Sequence, residues 1–233
     1  MLHSTTMSLF WKKLRFRFKF QNLLLWLFLY LVAGPFLKAL PHAELLVQAL
    51  FTAVLFSAVY TIHRKSYLMW PALALLAVTT ILIWVNLFNL VTISGKAIDI
   101  LAVFYLGMLV YSFAHYIVKA QKVDSELISA VLCLYFLLAL LWASMYMLLE
   151  ECIPGSFAGQ GLVPGQSVGK EFNYFNYLSF VTITTLGYGD ITPQKPGAMA
   201  LCQVEAVLGQ FYTAVVIARL VGIHVAQELT KKK

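Results

Sequence analysis

Residues 172–190 read FNYFNYLSFVTITTLGYGD, and they determine how the rest of the chain is interpreted. The apolar and aromatic part, residues 172–184, has 13 residues, whereas a helix needs about 20 to cross the membrane. A glycine-containing strand, residues 185–189, follows directly. Irregular backbone at membrane depth is tolerated only where protein buries it or where it lines a water-filled path. We therefore interpret this stretch as a re-entrant loop and expect it to be the functional site.

The sequence on both sides of this loop is apolar. Of 233 residues, 61% are hydrophobic and 12% are charged, and the mean hydropathy is +0.81. This composition cannot provide a water-soluble surface, so a soluble globule is excluded. The apolar runs are long enough for six helical crossings, at residues 22–40, 44–62, 67–90, 98–118, 127–149 and 198–221. The predicted fold class is an all-α membrane protein with six transmembrane helices plus a re-entrant pore helix.

The placement of the basic residues predicts the orientation. The net charge is +7, and 13 of the 17 Lys and Arg residues fall on one side of the predicted spans. This bias is the positive-inside signature, so we expect a multi-pass protein of the cell (inner) membrane with both termini in the cytoplasm. The basic residues then face anionic headgroups of membrane lipids at the cytoplasmic surface. Nucleic acid is not expected as a partner.

The residue types of the strand suit the conduction of cations. A row of inward-facing backbone carbonyls can replace the hydration shell of an ion without a fixed charge that would trap it. Gly187 and Gly189 can adopt conformations closed to residues with a Cβ, which lets successive carbonyls point the same way. Thr185 can add a hydroxyl below them, and Tyr188 can turn outward to hold the strand. The C-terminal end of the preceding half-helix carries partial negative charge and favours cations.

Residues 184–190, TTLGYGD, closely resemble the selectivity-filter signature of potassium channels, and the resemblance extends over roughly residues 127–225. It implies a tetrameric potassium channel fold with an outer helix, a turret, a pore helix, a filter and an inner helix. The chain has one such motif and a potassium pore uses four, so the resemblance implies a homotetramer. It also implies K⁺ as the permeant ligand and no organic cofactor. The ion path would be formed by Thr185, Leu186, Gly187, Tyr188 and Gly189, with K⁺ bound at the first four.

The support of the filter departs from the family pattern. The resemblance assigns support to Thr184 and to Asp190 at the outer mouth. Where many relatives have two tryptophans on the pore helix, this chain has Tyr177 and a leucine, and where some bacterial relatives have a glutamate it has Val181. We therefore expect Tyr177 to hydrogen-bond Asp190 in place of the missing partners. Leu186, where Val or Ile is usual, changes the volume behind the filter but not the number of carbonyls.

The last span predicts a hinge and a gate. Gly209, 20 residues after Gly189, matches the inner-helix hinge glycine of the family. Steps of three and four residues along one helix face define a stripe. The stripe consists of Gln210, Thr213, Ile217 and Val221. It passes from polar to apolar toward the cytoplasm, as expected of a constriction that closes by dewetting. The alternative is that its apolar residues simply pack against neighbouring helices.

Two ionisable residues of this span stand apart from the stripe. Arg219 is expected at the inner interface, where it can reach lipid headgroups. Glu205 is a carboxylic acid at membrane depth, where ionisable residues are costly and usually mark function. Two interpretations of Glu205 stay open: a functional carboxylate, or a protonated or hydrogen-bonded acid behind the pore helix near Ser179 or Thr182.

Four regions are predicted along the chain. They are a basic and aromatic cytoplasmic arm (1–21), a four-helix transmembrane domain (22–119), a pore domain (120–227) and a basic tail (228–233). The four-helix domain resembles a voltage sensor in plan, but a sensor needs several Arg or Lys at every third position of its fourth span. Residues 98–118 contain none, which argues against gating by an S4-type sensor.

Three other classes of protein agree less well with the sequence than a channel does. An enzyme is not expected, because the G-x-S-x-G match at residues 165–169 is predicted to lie in a loop without the required strand and helix, and no catalytic residue is assigned. A potassium transporter subunit usually carries four degenerate filters in one chain, which the single intact motif disfavours. A non-conducting accessory membrane protein is the third alternative.

Cys152 could bridge to a partner subunit, although a lone loop thiol is more often free.

Overall fold

The computed structural model describes residues 19–37, 43–61, 69–88, 95–159 and 168–231. Within these ranges the chain forms seven helices and two short strands. In chain order they are α1 (Lys19–Leu37), α2 (Ala43–Thr61), α3 (Met69–Leu87), α4 (Gly95–Lys119), α5 (Ser125–Cys152), β1 (Phe157–Gly159), α6 (Val168–Ile183), β2 (Ile191–Pro193) and α7 (Pro196–Lys231). Most of the predicted N-terminal arm (1–21) and the last two residues of the predicted tail (228–233) lie outside the described residues.

The protein is a multi-pass membrane protein. Among the described residues, four helices are long and apolar enough to cross a membrane, at Met69–Asn86, Gly95–Lys119, Ser125–Cys152 and Pro196–Leu229. The first two predicted spans correspond to shorter apolar helices, Lys19–Val32 and Leu45–Thr61. The count of six crossings therefore stays a prediction, and so do the domain boundaries.

A first core joins the early helices to α5. Buried side chains of α5 pack against buried side chains of α1, α2, α3 and α4, and Leu137 at the centre is fully buried. Lipid tails are as apolar as these side chains, so packing and hydrogen bonds between helices hold such a core together. One such bond runs from the Tyr105 hydroxyl on α4 to the carbonyl oxygen of Leu55 on α2, at 2.7 Å. At the start of α5, the Asp124 carboxylate accepts the amide of Leu127 at 2.8 Å and caps the helix.

A second core lies between the outer end of α5, α6 and α7. Phe157 on β1 makes edge contacts with Tyr146 and Phe175, each with ring centroids 5.2 Å apart. β1 pairs antiparallel with β2, Phe157 lying opposite Pro193. The Glu150 carboxylate accepts the amide of Phe157 at 3.0 Å and so fixes the start of β1. The pairing holds the loop after α5 against the strand that follows residue 190.

Two helices extend furthest beyond their predicted bounds. α6 begins at Val168, four residues before the predicted pore segment 172–184, so a helix does follow the G-x-S-x-G match. The prediction that no helix follows the match was wrong. The serine of that match lies outside the described residues. α7 continues to Lys231 without interruption, well past the predicted end at residue 221. Pro196 opens α7, where its missing N–H leaves no helix bond unmade.

Candidate functional site

The backbone of residues 185–189, called the filter segment below, alternates in conformation. Thr185, Gly187 and Gly189 have φ of 60°, 60° and 78°, whereas Leu186 and Tyr188 between them do not have positive φ. In an ordinary β-strand the backbone carbonyls of successive residues point to opposite sides. A left-handed conformation at every second residue removes this alternation. The conformation therefore suits carbonyls that face one side. Glycine adopts a positive φ at no steric cost, which explains two of the three positions.

Thr185 holds a positive φ although it has a branched Cβ. Such a backbone is strained and persists only where the surroundings enforce it, which is typical of functional sites. Two contacts fix the residue. Its amide donates to the Thr182 carbonyl at 2.9 Å, and its hydroxyl accepts a 3.3 Å hydrogen bond from the Gln210 side chain of α7. The structure thus brings together one residue of the predicted filter and one of the predicted gate.

The end of α6 anchors the filter segment. The Val181 carbonyl accepts the amides of Leu186 and Gly187, at 2.9 and 3.2 Å. The Thr184 hydroxyl donates to the Phe180 carbonyl at 2.6 Å. The side chain of Val181 offers no carboxyl group, but its backbone oxygen binds two filter amides. No residue type in the sequence signals this contact.

The outer end of the filter segment is tied to α6 by side chains. The Tyr177 hydroxyl donates to Asp190 Oδ2 at 2.7 Å. Asp190 Oδ1 accepts the amide of Ile191 at 3.1 Å. Gly159 on β1 lies so close to the Asp190 carbonyl that a Cβ there would be 2.6 Å from it. The structure therefore places Asp190 between α6 and the β1–β2 pair.

One side of the filter segment is open. Residues 184–190 are all exposed, with Leu186 at 55% and Tyr188 at 67%. A single chain thus covers the segment from α6 and leaves its other side free. The arrangement can line a path but cannot enclose one.

Gly209 packs against the end of α6. The residue is buried, and a Cβ there would overlap the Ile183 carbonyl oxygen and come within 2.9 Å of Ile183 Cγ1. The Tyr135 hydroxyl of α5 donates to the same oxygen at 3.1 Å. α7 is continuous through Gly209. In this conformation Gly209 permits the close approach of two helices rather than a bend.

The gate residues lie on a side of α7 that the chain leaves uncovered. Gln210, Thr213, Ile217 and Val221 are all exposed, with Ile217 at 57% and Val221 at 56%. The Thr213 hydroxyl donates to the Gly209 carbonyl at 3.0 Å within the helix. In contrast, Leu220 packs against the first core. The two sides of α7 are thus distinct in their surroundings.

Arg219 makes contacts within the protein that the sequence does not predict. Its guanidinium donates to the Val118 carbonyl of α4 and, at 3.3 Å, to the Ala120 carbonyl just beyond it. The last carbonyls of a helix have no partner inside the helix and attract cationic donors. Arg219 therefore joins α7 to the end of α4, a contact that the sequence does not predict, and its place at the inner interface stays a prediction.

Glu205 lies behind α6 in a buried cluster that the sequence only partly predicts. Its carboxyl group contacts the hydroxyls of Ser179 on α6 and Tyr146 on α5. The sequence offers Ser179 as one of two possible neighbours of Glu205, but nothing in it distinguishes Tyr146 from the three other aromatic residues of α5. Among the described residues, no group of three or more His, Cys, Asp or Glu is placed to bind a metal.

Comparison with known proteins assigns part of this region. A family model described as an ion channel matches residues 130–225. No curated protein and no solved structure matches the chain. The matched segment contains most of α5, the filter segment and most of α7, and covers less than half of the chain. Residues 130–225 are therefore similar to an ion channel domain, which suggests passive conduction of ions.

Proposed function

We propose that the protein is a potassium-selective channel that conducts K⁺ passively through a homotetrameric pore. The observation that carries this proposal is the alternation of φ at Thr185, Gly187 and Gly189 within the sequence TLGYG. Carbonyls that face one side can replace the hydration shell of K⁺. The K⁺ sites of this proposal are formed by Thr185, Leu186, Gly187 and Tyr188.

The surfaces that one chain leaves uncovered support the proposal of a tetramer. The filter segment is open on one side, and a closed ring of carbonyls needs four such strands. α7 is long and apolar, yet only 6% of its candidate membrane-crossing stretch is buried within the chain. Closed symmetry around one axis would cover both features at once. The open side of the filter segment and the exposed side of α7 then face the same axis.

The proposed channel lies in the cell (inner) membrane with both termini in the cytoplasm. The excess of Lys and Arg on one side of the predicted spans supports this orientation. An S4-type sensor does not open it, because Lys96 and Lys119, at the two ends of α4, are its only Lys or Arg residues. One elementary charge moved across the membrane contributes only about 2.3 kcal/mol per 100 mV, so a sensor needs several.

Flux through liposomes tests the proposal. The purified full chain is reconstituted in vesicles loaded with K⁺, and proton uptake is followed with a dye while K⁺ leaves. We expect flux in a K⁺ gradient without ATP and little flux in a matched Na⁺ gradient. Valinomycin added at the end reports the total capacity, and the Gly189→Ala variant is the matched protein control.

Three outcomes would overturn it. Equal K⁺ and Na⁺ flux would reject selectivity. The absence of flux from vesicles that contain intact tetramers would favour an accessory protein. Accumulation of K⁺ against its gradient, driven by a second gradient, would favour a transporter subunit.

A further inference from the structure

Glu205 is the centre of a hydrogen-bonded chain that joins three helices. Glu205 on α7, Ser179 on α6 and Tyr146 on α5 are each fully buried within one chain. Glu205 Oε1 lies 2.5 Å from the Ser179 hydroxyl, and Glu205 Oε2 contacts the Tyr146 hydroxyl. The Ser179 hydroxyl also lies 2.7 Å from the Ala139 carbonyl of α5.

Counting protons determines the state of Glu205. The Ser179 hydroxyl has one proton but two oxygen neighbours, and the Ala139 carbonyl can only accept. If Ser179 donates to Ala139, then a proton on Glu205 Oε1 must fill the 2.5 Å contact, since two oxygens at this distance without a proton between them repel. The Tyr146 hydroxyl then donates its proton to Glu205 Oε2. Every contact is satisfied by a carboxylic acid, whereas a carboxylate leaves one contact without a proton.

The cluster lies next to the groups that hold the filter segment. Ser179 is two residues before Val181, whose carbonyl binds the amides of Leu186 and Gly187. Glu205 is one helical turn before Gly209, which packs against the carbonyl of Ile183. α7 therefore meets α6 at two successive turns. The first contact is the hydrogen bond between Glu205 and Ser179, and the second is the backbone contact between Gly209 and Ile183.

We propose that Glu205 is a positioning residue, held as a neutral carboxylic acid, that fixes α6 and hence the filter segment relative to α5 and α7. Burial of an unpaired carboxylate costs free energy. A polar network in which every hydrogen bond is made holds the packed helices in a single arrangement. The effect of Glu205 on selectivity rests on the proposed function. The protonation state of Glu205 does not depend on it. The acid donates to Ser179 and accepts from Tyr146, and a glutamine at this position can do the same.

An infrared comparison of the assembled full chain and Glu205→Gln tests the state of the side chain. The difference spectrum should contain the C=O stretch of one protonated carboxylic acid, which glutamine removes. A difference spectrum that shows a lost carboxylate band instead would overturn the proposal. This result does not depend on whether the protein conducts K⁺.

Flux measurements test the positioning role. Glu205→Gln should keep the ratio of K⁺ to Na⁺ flux, whereas Glu205→Met, of similar length but without polar atoms, should lower the ratio by about tenfold because Ser179 and Tyr146 lose a partner. Equal ratios for the Met and wild-type proteins would overturn the role. Should the Met variant fail to assemble, Ser179→Ala replaces it, with the same expected loss and the same contrary result. If wild type itself conducts no K⁺, the proposed function fails while the infrared result still decides the state of Glu205.

Discussion

At the residue scale, the conformation of three backbone positions defines the candidate site. Positive φ at Thr185, Gly187 and Gly189 places every second residue of the filter segment in a region that residues with a Cβ rarely adopt. Two of these positions are glycine. At the third, contacts with Thr182 and Gln210 hold the strained threonine. Substitutions here therefore act through conformation and not through lost packing.

Gly189→Ala should abolish selective K⁺ flux while tetramers still form. A Cβ at Gly189 would meet nothing within 4 Å, so the effect comes from the φ of 78°, which costs an L-residue about 1–2 kcal/mol in each subunit. Gly107→Ala on α4 is the matched control, because its Cβ also meets nothing within 4 Å and its φ is not positive. Liposome flux measures both variants. Normal K⁺ over Na⁺ flux in Gly189→Ala would contradict the conformational argument.

The hydrogen bond between Tyr177 and Asp190 should stabilise the outer end of the filter segment. Tyr177→Phe should change the rate at which the K⁺ current declines under constant voltage in planar bilayers, without changing selectivity, because only the support at 2.7 Å is lost. Asp190→Asn and the double variant complete a mutant cycle. A coupling of about 0.5–1.5 kcal/mol in that rate is expected. Purely additive effects would show that the bond has no influence on the filter.

At the element scale, α7 approaches the pore helix α6 closely because Gly209 has no side chain. The Ile183 carbonyl lies where a Cβ would be, and the Tyr135 hydroxyl holds that carbonyl from the other side. The last turn of α6 is thus fixed between α5 and α7. A change in the position of α7 would reach the filter segment through this contact.

Gly209→Ala should displace α7 from α6 and destabilise the assembly by about 1–3 kcal/mol per subunit, since overpacking forces the backbone to shift. Gly222→Ala on the same helix is the control, because a Cβ there meets nothing within 4 Å. Thermal denaturation of the tetramer in detergent measures the difference. Equal midpoints for the two variants would mean that the close contact with Ile183 contributes nothing.

At the scale of the whole molecule, one chain leaves much of α7 uncovered. α7 leaves large apolar side chains uncovered, among them Val207, Phe211 and Val215, which are 53% to 64% exposed. Lipid can cover such a surface, but it cannot cover the polar Gln210 or the backbone of the filter segment on the same side. In the proposed tetramer, the other copies would cover the exposed surface of α7 and the open side of the filter segment.

Val221→Asp and Leu220→Asp should have different effects although the residues are neighbours. Val221 is exposed on the stripe, so an aspartate there should hydrate the constriction and raise resting K⁺ flux. Leu220 packs against the first core, where an unpaired charge costs about 3 kcal/mol and should reduce assembly. Size-exclusion chromatography and liposome flux separate the two effects. Loss of assembly in Val221→Asp with normal tetramers in Leu220→Asp would place the stripe on the wrong side.

The sequence by itself determined the class of protein and the place of the site. Long apolar runs exclude a soluble globule because they cannot form a surface that water solvates. The short run followed by Gly187 and Gly189 cannot span the membrane, so at membrane depth it has to be buried in protein or line a water-filled path. For Glu205 the sequence left two interpretations open, one of which placed the acid behind the pore helix near Ser179 or Thr182.

Only the tertiary structure decided the contacts made by groups that look alike in any sequence. Backbone carbonyls are present at every residue, so the roles of Val181 and Ile183 as acceptors, and of Val118 as the partner of Arg219, depend on which helix ends approach one another. The close packing at Gly209 and the choice of Tyr146 among the aromatic residues of α5 depend on the same relative placement. Local pattern limits where a chain can lie in a membrane, whereas the partner of each polar group is set by the packing of helices distant in sequence.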